Sequence, residues 1–218
     1  MKAMILAAGR GERLRPMTDT TPKPLLEARG KPLIVHHLEA LALAGFGEIV
    51  VNLGWLGQRI RDYLGDGSAY HLRIEYSEEP EALETAGGIL QALPLLGDSF
   101  IVVNADIFTD YDFSLLRQID SVAHLVLVDN PQHNSDGDFS LEQSMVGNNA
   151  VPRYTFSGIG RYQRSFFDGL TPGKQTLAPL LRSAADNSRL TGELHRGEWL
   201  DIGTRERLQA LNDYPVKD

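Results

Sequence analysis

Lys2-Ala3-Met4-Ile5-Leu6-Ala7-Ala8-Gly9-Arg10-Gly11-Glu12-Arg13-Leu14-Arg15-Pro16 joins a short apolar run to a loop holding two glycines and three arginines. The run Lys2–Ala7 is continuous and stops at the glycines, which suits a central parallel strand buried on both faces. Gly9 and Gly11 let the backbone turn tightly and aim its N–H groups at an anion. Arg13 adds a planar fork of donors for phosphate oxygens. Ten residues further on, Lys23 stands between Pro22 and Pro24, whose fixed φ restrains the backbone that carries its ammonium. Three better-known motifs fail here. A dinucleotide fingerprint needs a third glycine where Leu14 stands, and a P-loop needs lysine where Gly11 is followed by Glu12. A nucleophile elbow needs glycine where Thr155 precedes Phe156-Ser157-Gly158.

Outward from this loop, strand and helix patterns alternate. Pro32 opens a helical pattern that ends at Gly45, and Glu48–Leu53 reads as a strand. Helices follow at Trp55–Leu64 and Glu84–Leu93, strands at Leu72–Tyr76, Phe100–Asn104 and His124–Val128, and a short helix at Leu115–Ile119. This alternation predicts a parallel sheet with helices on both faces. After Asn130-Pro131 the chain turns rich in Asn, Asp, Ser and Gly. Loops around a short hairpin at Phe139–Leu141 are expected there. A strand at Tyr154–Gly160, a helix at Leu177–Ala185 and short strands at Leu190–His195 and Glu198–Leu200 come next. Thr204 caps a last helix, Arg205–Leu211.

The 218 residues suit a single domain, and 42% hydrophobic residues provide a core. The net charge of -8 argues against a nucleic-acid backbone as partner, though not against a small anion held by a few local cations. With no cysteine, disulfide frameworks, thiolate zinc sites and thiol nucleophiles are excluded. No apolar run approaches the roughly 20 residues of a membrane span. The first eight residues read as a strand rather than a signal peptide. The expectations are therefore a cytoplasmic monomer without membrane or nucleic-acid partners. Two carboxylates attract notice. Asp106 follows the apolar run Phe100–Asn104, at the strand end where open α/β sheets bind ligands. Asp201 lies in Trp199-Leu200-Asp201-Ile202-Gly203-Thr204. Taken singly, each reads equally well as a turn residue. The adjacent His36 and His37 face different sides of their helix and are assigned no chemistry.

These residues resemble the signature of the sugar-1-phosphate nucleotidyltransferases. That pattern is a strand, a Gly-x-Gly-x-Arg-Leu-x-Pro loop, Lys-Pro-Leu-Leu, and a helix starting near a second Lys-Pro, here Lys31-Pro32. The resemblance runs over nearly the whole chain. It implies an α/β, Rossmann-like three-layer sandwich with a mostly parallel central sheet. Residues 1–218 would form one domain, with 1–130 the nucleotide-binding half and 131–218 the sugar-binding, metal-completing half. It further implies that Leu6, Ala7, Ala8, Gly9, Gly11 and Arg13 hold the nucleotide together with Glu79, Leu83 and Thr85, Glu79 accepting from a uracil N3–H. The sugar would meet Asn104, Gly137, Phe156, Ser157 and Gly158. Asp106 and Asp201 would hold Mg²⁺, and Arg13, Lys23, Asp106 and Asp201 would be catalytic. The implied partners are UTP and a sugar 1-phosphate. Runs such as Asn52–Gln58 and Leu83–Gly88 most resemble members acting on N-acetylmuramate 1-phosphate. Guanylyl or thymidylyl transfer, and a non-catalytic nucleotide-sugar-binding regulator, are the alternatives.

Overall fold

The computed structural model describes residues 1–213. In chain order the strands and helices are β1 (Lys2–Leu6), α1 (Met17–Thr20), β2 (Glu27–Ala28), β3 (Lys31–Pro32), α2 (Leu33–Leu43), β4 (Glu48–Leu53) and α3 (Gly57–Leu64). There follow β5 (Arg73–Glu78), α4 (Glu84–Ala92), β6 (Ser99–Asn104), β7 (Ile107–Thr109), β8 (Ala123–Val128), β9 (Phe139–Glu142) and β10 (Met145–Gly147). The chain continues through β11 (Arg153–Gln163), α5 (Ala178–Asp186), β12 (Leu190–His195), β13 (Trp199–Asp201) and α6 (Arg205–Asp213). One sheet carries the order β5-β4-β1-β6-β11-β8-β12-β10-β9, and β7 pairs with β13 in a small ribbon of its own. No helix among the described residues is long and apolar enough to cross a membrane.

The period-2 alternation of the central strands separates two cores. Ala3, Ile5, Ile49, Val51, Ile101 and Val103 face α2 and α3, whose Ile34, Leu38, Leu41, Ile60 and Leu64 cover them. Met4, Val50, Phe100 and Val102 face the opposite layer, closed by Ala86 and Ile89 of α4 and by Leu181 and Ala184 of α5. Each of these larger aliphatic side chains contributes about 1.5–3 kcal/mol by leaving water. The result is the expected three-layer sandwich. β1 pairs in parallel with β4 and β6, and β4 with β5, so these strands end on one edge.

The main departure concerns β11. It pairs antiparallel with both β6 and β8, reversing direction in the middle of an otherwise parallel run. Hydrophobic alternation carries no information about strand direction, so the reversal was invisible in the chain. The strand is also longer than Tyr154–Gly160, because a bulge between Phe156 and Ile159 lets it continue across two partners. The helix expected at Leu115–Ile119 is a run of 3₁₀ turns over Phe113–Gln118. Asp112 accepts from Ser114 N (2.9 Å) and tightens the start into a turn. The strand expected at Glu198–Leu200 is displaced by one residue, to Trp199–Asp201.

A third, smaller core holds Leu14, Leu26, Leu33, Phe108, Ile202, Leu208 and Leu211. It ties the glycine-arginine loop to the β7–β13 ribbon and α6. Behind β7, His37 of α2 is buried and its Nε2 donates to the Ile107 carbonyl (2.9 Å). Burial lowers its pKa from 6.5 to about 4, and burial also lowers those of His36 and His124. The unfolded chain therefore binds protons more readily than the folded one as pH falls below 6.5. Folding stability drops between pH 6.5 and about 4, with His37 accounting for on the order of 3 kcal/mol. Urea titrations across this window should show the slope reduced in a His37→Gln variant, and an unchanged slope would contradict the assignment.

Candidate active site

The site grows from the ends of β1, β4 and β6. At Ala7 the backbone leaves the ladder, and its N–H donates to Asn52 Oδ1 (2.6 Å) at the end of β4. Gly11 then takes φ +68°, the left-handed region that disfavours side chains. A Cβ there would stand 3.0 Å from Thr18 and 3.2 Å from Lys23. The Gly11 carbonyl accepts from Leu14 N (2.9 Å) and Thr18 Oγ1 (2.9 Å), which closes the turn. Leu14 is fully buried, so Arg13 beside it is carried outward.

Lys23 is only 8% exposed, and its Nζ donates to Asp106 Oδ2 at 2.5 Å. A buried ammonium needs such a partner, because desolvating an unpaired charge costs several kcal/mol. Asp106 follows β6, and its carbonyl accepts from Ile202 N (2.8 Å). The β7–β13 register sets Asp201 opposite Ile107. The two aspartates thus sit at adjacent ends of one ribbon and line one cavity with Arg13. A Cβ placed on Gly203 would lie 3.0 Å from Arg13 Nη2 and 3.1 Å from Asp201 Oδ1, so both side chains converge beside it. Asp201 Oδ2 accepts from Arg207 Nη1 (2.8 Å), with His133 Nε2 at 3.3 Å.

Two further cavities meet at Leu6, Thr85 and Asn104. The first, about 330 Å³, is walled by Leu6, Ala7, Ala8, Gly9, Lys23, Asn52, Glu79, Glu84, Thr85, Asn104 and Asp106. The second, about 310 Å³, is lined by Val102, Phe139, Phe156, Gly158, Leu177, Leu181 and Arg182 among others. Glu79 bridges the first cavity's floor: Oε1 accepts from Asn52 Nδ2 (2.6 Å) and Oε2 from Leu83 N (3.2 Å). Glu84 holds φ +61°, a conformation that favours glycine, and turns the chain into α4.

Most residues singled out in the sequence line these cavities, Ser157 among them beside Asp106 and Asp201; Gly11 opens instead on a smaller cavity with Arg13 and Lys23, and Leu83 and Gly137 are placed otherwise. Leu83 is buried, its N–H given to Glu79 and its carbonyl to Gln175 N (2.9 Å). Gly137 sits in a turn hemmed in by Asn130 and the Arg153–Tyr154 backbone, outside the lining of the second cavity. The Ser157 hydroxyl is spent on Val126 O (2.6 Å) and Ile159 N (3.1 Å), where it fills the β11 bulge. Sequence reading passed over Asn52, Arg207, His133 and Arg182. Only Asn52 left a signal: it is an uncharged polar residue in the otherwise apolar interior of the run Glu48–Leu53.

The nucleotidyl transferase family model matches residues 2–136. An N-acetylmuramate alpha-1-phosphate uridylyltransferase of Neisseria meningitidis is 55% identical over 96% of this chain and 96% of its own length. The chain belongs to the sugar-1-phosphate nucleotidyltransferase family. A mannose-1-phosphate guanyltransferase of Hypocrea jecorina is 33% identical over 93% of this chain, which spans 61% of that protein. In fold, the nucleotidyltransferase matches HddC of Yersinia pseudotuberculosis complexed with GMP-PN at a TM-score of 0.80, with 20% identity, 97% of this chain and 98% of that one. Gly54, just after β4, is where this nucleotidyltransferase packs its backbone against the glycine-arginine loop: a Cβ there would stand 2.6 Å from Ala8 O. Gly54→Ala should displace that loop and lower kcat/KM by up to about 100-fold, as expected for a misplacement near 1 Å. Steady-state kinetics with saturating sugar phosphate would reveal it, and wild-type values would show that the loop tolerates the shift.

Proposed function

We propose that this nucleotidyltransferase moves a uridylyl group from UTP to N-acetylmuramate 1-phosphate and releases pyrophosphate. The observation that carries the reading is the Lys23–Asp106 pair on the wall of the first cavity, which opens on the second at Leu6, Thr85 and Asn104. The choice of UTP and of this sugar follows the Neisseria relative. Residues 1–218 act as one domain and as a monomer, with 1–130 serving the nucleotide and 131–218 the sugar and the metal. The work belongs to cell-wall recycling in the cytoplasm.

Two carboxylates at adjacent strand ends, opening on one cavity, suit an ion that takes one or two carboxylates and completes its shell with phosphates and water. Asp106 and Asp201 would hold Mg²⁺. Bound there, the ion supplies charge neutralisation and polarisation of phosphoryl oxygens. Arg207 donates to the Asp201 carboxylate and His133 of the same cavity stands beside it, which holds it in place. Arg13 and the Gly9–Gly11 amides receive the β- and γ-phosphates. Glu79, with Asn52 and Leu83 N already on its carboxylate, keeps a lone pair for a uracil N3–H. Lys23 carries positive charge to the point where two anions must meet. A sugar-phosphate oxygen attacks the α-phosphorus, the bond from that phosphorus to the bridging oxygen breaks, and pyrophosphate departs. Positioning and charge neutralisation suffice, and no enzyme-bound covalent intermediate forms.

Pyrophosphate release measured over a panel of nucleoside triphosphates and sugar 1-phosphates tests the substrate pair. Turnover confined to GTP and mannose 1-phosphate would replace the reading. Lys23→Ala and Arg13→Ala should each lower kcat by about 10²–10³, the usual loss for one preorganised electrostatic donor. Near-wild-type rates in either variant would remove that residue from the mechanism.

A further inference from the structure

We infer that Arg182 is the carboxylate receptor of the sugar cavity and sets the preference for an acidic sugar. The inference rests on the proposed N-acetylmuramate substrate. That sugar differs from N-acetylglucosamine by one lactyl ether at C3, which ends in a carboxylate.

The geometry supplies the matching cation. A sugar ring seated in the second cavity, with its anomeric phosphate toward Asp106 and Lys23 of the first, would carry its C3 substituent two carbons further along the ring and away from that pair. The wall there is α5 and the Leu177 before it, and Leu177, Ala178, Leu181 and Arg182 line the second cavity. Leu177 and Leu181, with Val102 and Phe139, make the wall apolar, and Arg182 is the one cation among its described lining residues. Its guanidinium lies over the Phe139 ring, 5.2 Å from the centroid. The hydrogen-bond partners of Nη1 are neutral and distant, Asp138 O and Asn148 Oδ1 both at 3.4 Å. Helical spacing offers Asp186 as an acid four residues on, yet Asp186 accepts from Asn148 Nδ2 (2.7 Å) instead. Asp138, the acid on the same cavity, gives its Oδ2 to Phe156 N (2.8 Å) and Asn134 Nδ2 (3.2 Å). In a chain with 29 acidic residues, a guanidinium on a cavity wall has thus been left without a carboxylate among the described residues. Asn148 also donates to Arg182 O (2.9 Å), so the segment after β10 fixes the stretch of α5 that aims it. Arg182 is exposed at this wall, and its planar fork is suited to bidentate capture of a carboxylate.

The experiment compares kcat/KM for N-acetylmuramate 1-phosphate and N-acetylglucosamine 1-phosphate, both with UTP, in wild type, Arg182→Gln and Arg182→Glu. The expected result is an acid-to-neutral ratio that falls by about 10–100-fold in Arg182→Gln, the usual value of a hydrogen bond to a charged group. The fall should be carried by KM for the acid and be larger in Arg182→Glu. A ratio unchanged in both variants, whether because both substrates suffer equally or because neither does, overturns the assignment while leaving the proposed reaction standing. Wild-type protein that turns over the neutral sugar but not the acid overturns the substrate reading itself, and this inference with it.

Discussion

Like charges must be brought together in this cleft, and the protein that does so is itself acidic. A chain of net charge -8 cannot rely on a general positive field, so its cations have to be local and held. Lys23 meets that constraint by being buried and paired to Asp106 at 2.5 Å. The pair keeps a desolvated ammonium at the strand edge before any phosphate arrives. It also places a carboxylate where a divalent cation would share it with Asp201. Everything around the pair serves to hold its two members, which come from segments 83 residues apart.

Apolar anchors do most of that holding. Leu14 follows Arg13 and Ile202 follows Asp201, and both leucine and isoleucine are fully buried in the same small core. A charged side chain beside a buried neighbour keeps little freedom of position even when it is exposed. Polar bridges complete the frame. Asn52 joins the glycine-arginine loop through Ala7 N to the segment after β5 through Glu79, so two walls of the first cavity are tied together. Gln175 does the same between the cavities, with its N–H on Leu83 O and its carbonyl accepting from Ala86 N and Gly87 N of α4.

The first half of the chain was readable because its signals are local. The apolar run of β1, the glycine turn after it and the helical patterns of α2, α3 and α4 each depend on neighbours within a few residues. The loop Gly9–Pro16 and Lys23 stood out by residue type and spacing, whereas the two aspartates became a pair only through the family resemblance. The second half was read less well. Direction of β11 depends on which strands it meets, and its bulge on Ser157 filling a gap in a ladder formed with β8. The resemblance made Gly137 and Ser157 sugar contacts, yet packing holds Gly137 away from the cavities, and Ser157 lines one with its hydroxyl already bonded within the bulge.

Local chemistry written along the chain was enough to establish the α/β alternation, the anion-seeking loop and the candidate acids, because backbone conformation and hydrophobic period act over short distances. Folding in three dimensions decided which charges pair and which stay free: Lys23 with Asp106, Arg207 with Asp201, and Arg182 with no acid among the described residues. Coulomb and hydrogen-bond energies depend on separations of a few ångströms between groups remote in sequence. Only the packed sheet, with the β7–β13 ribbon and α5 set against it, fixes those separations.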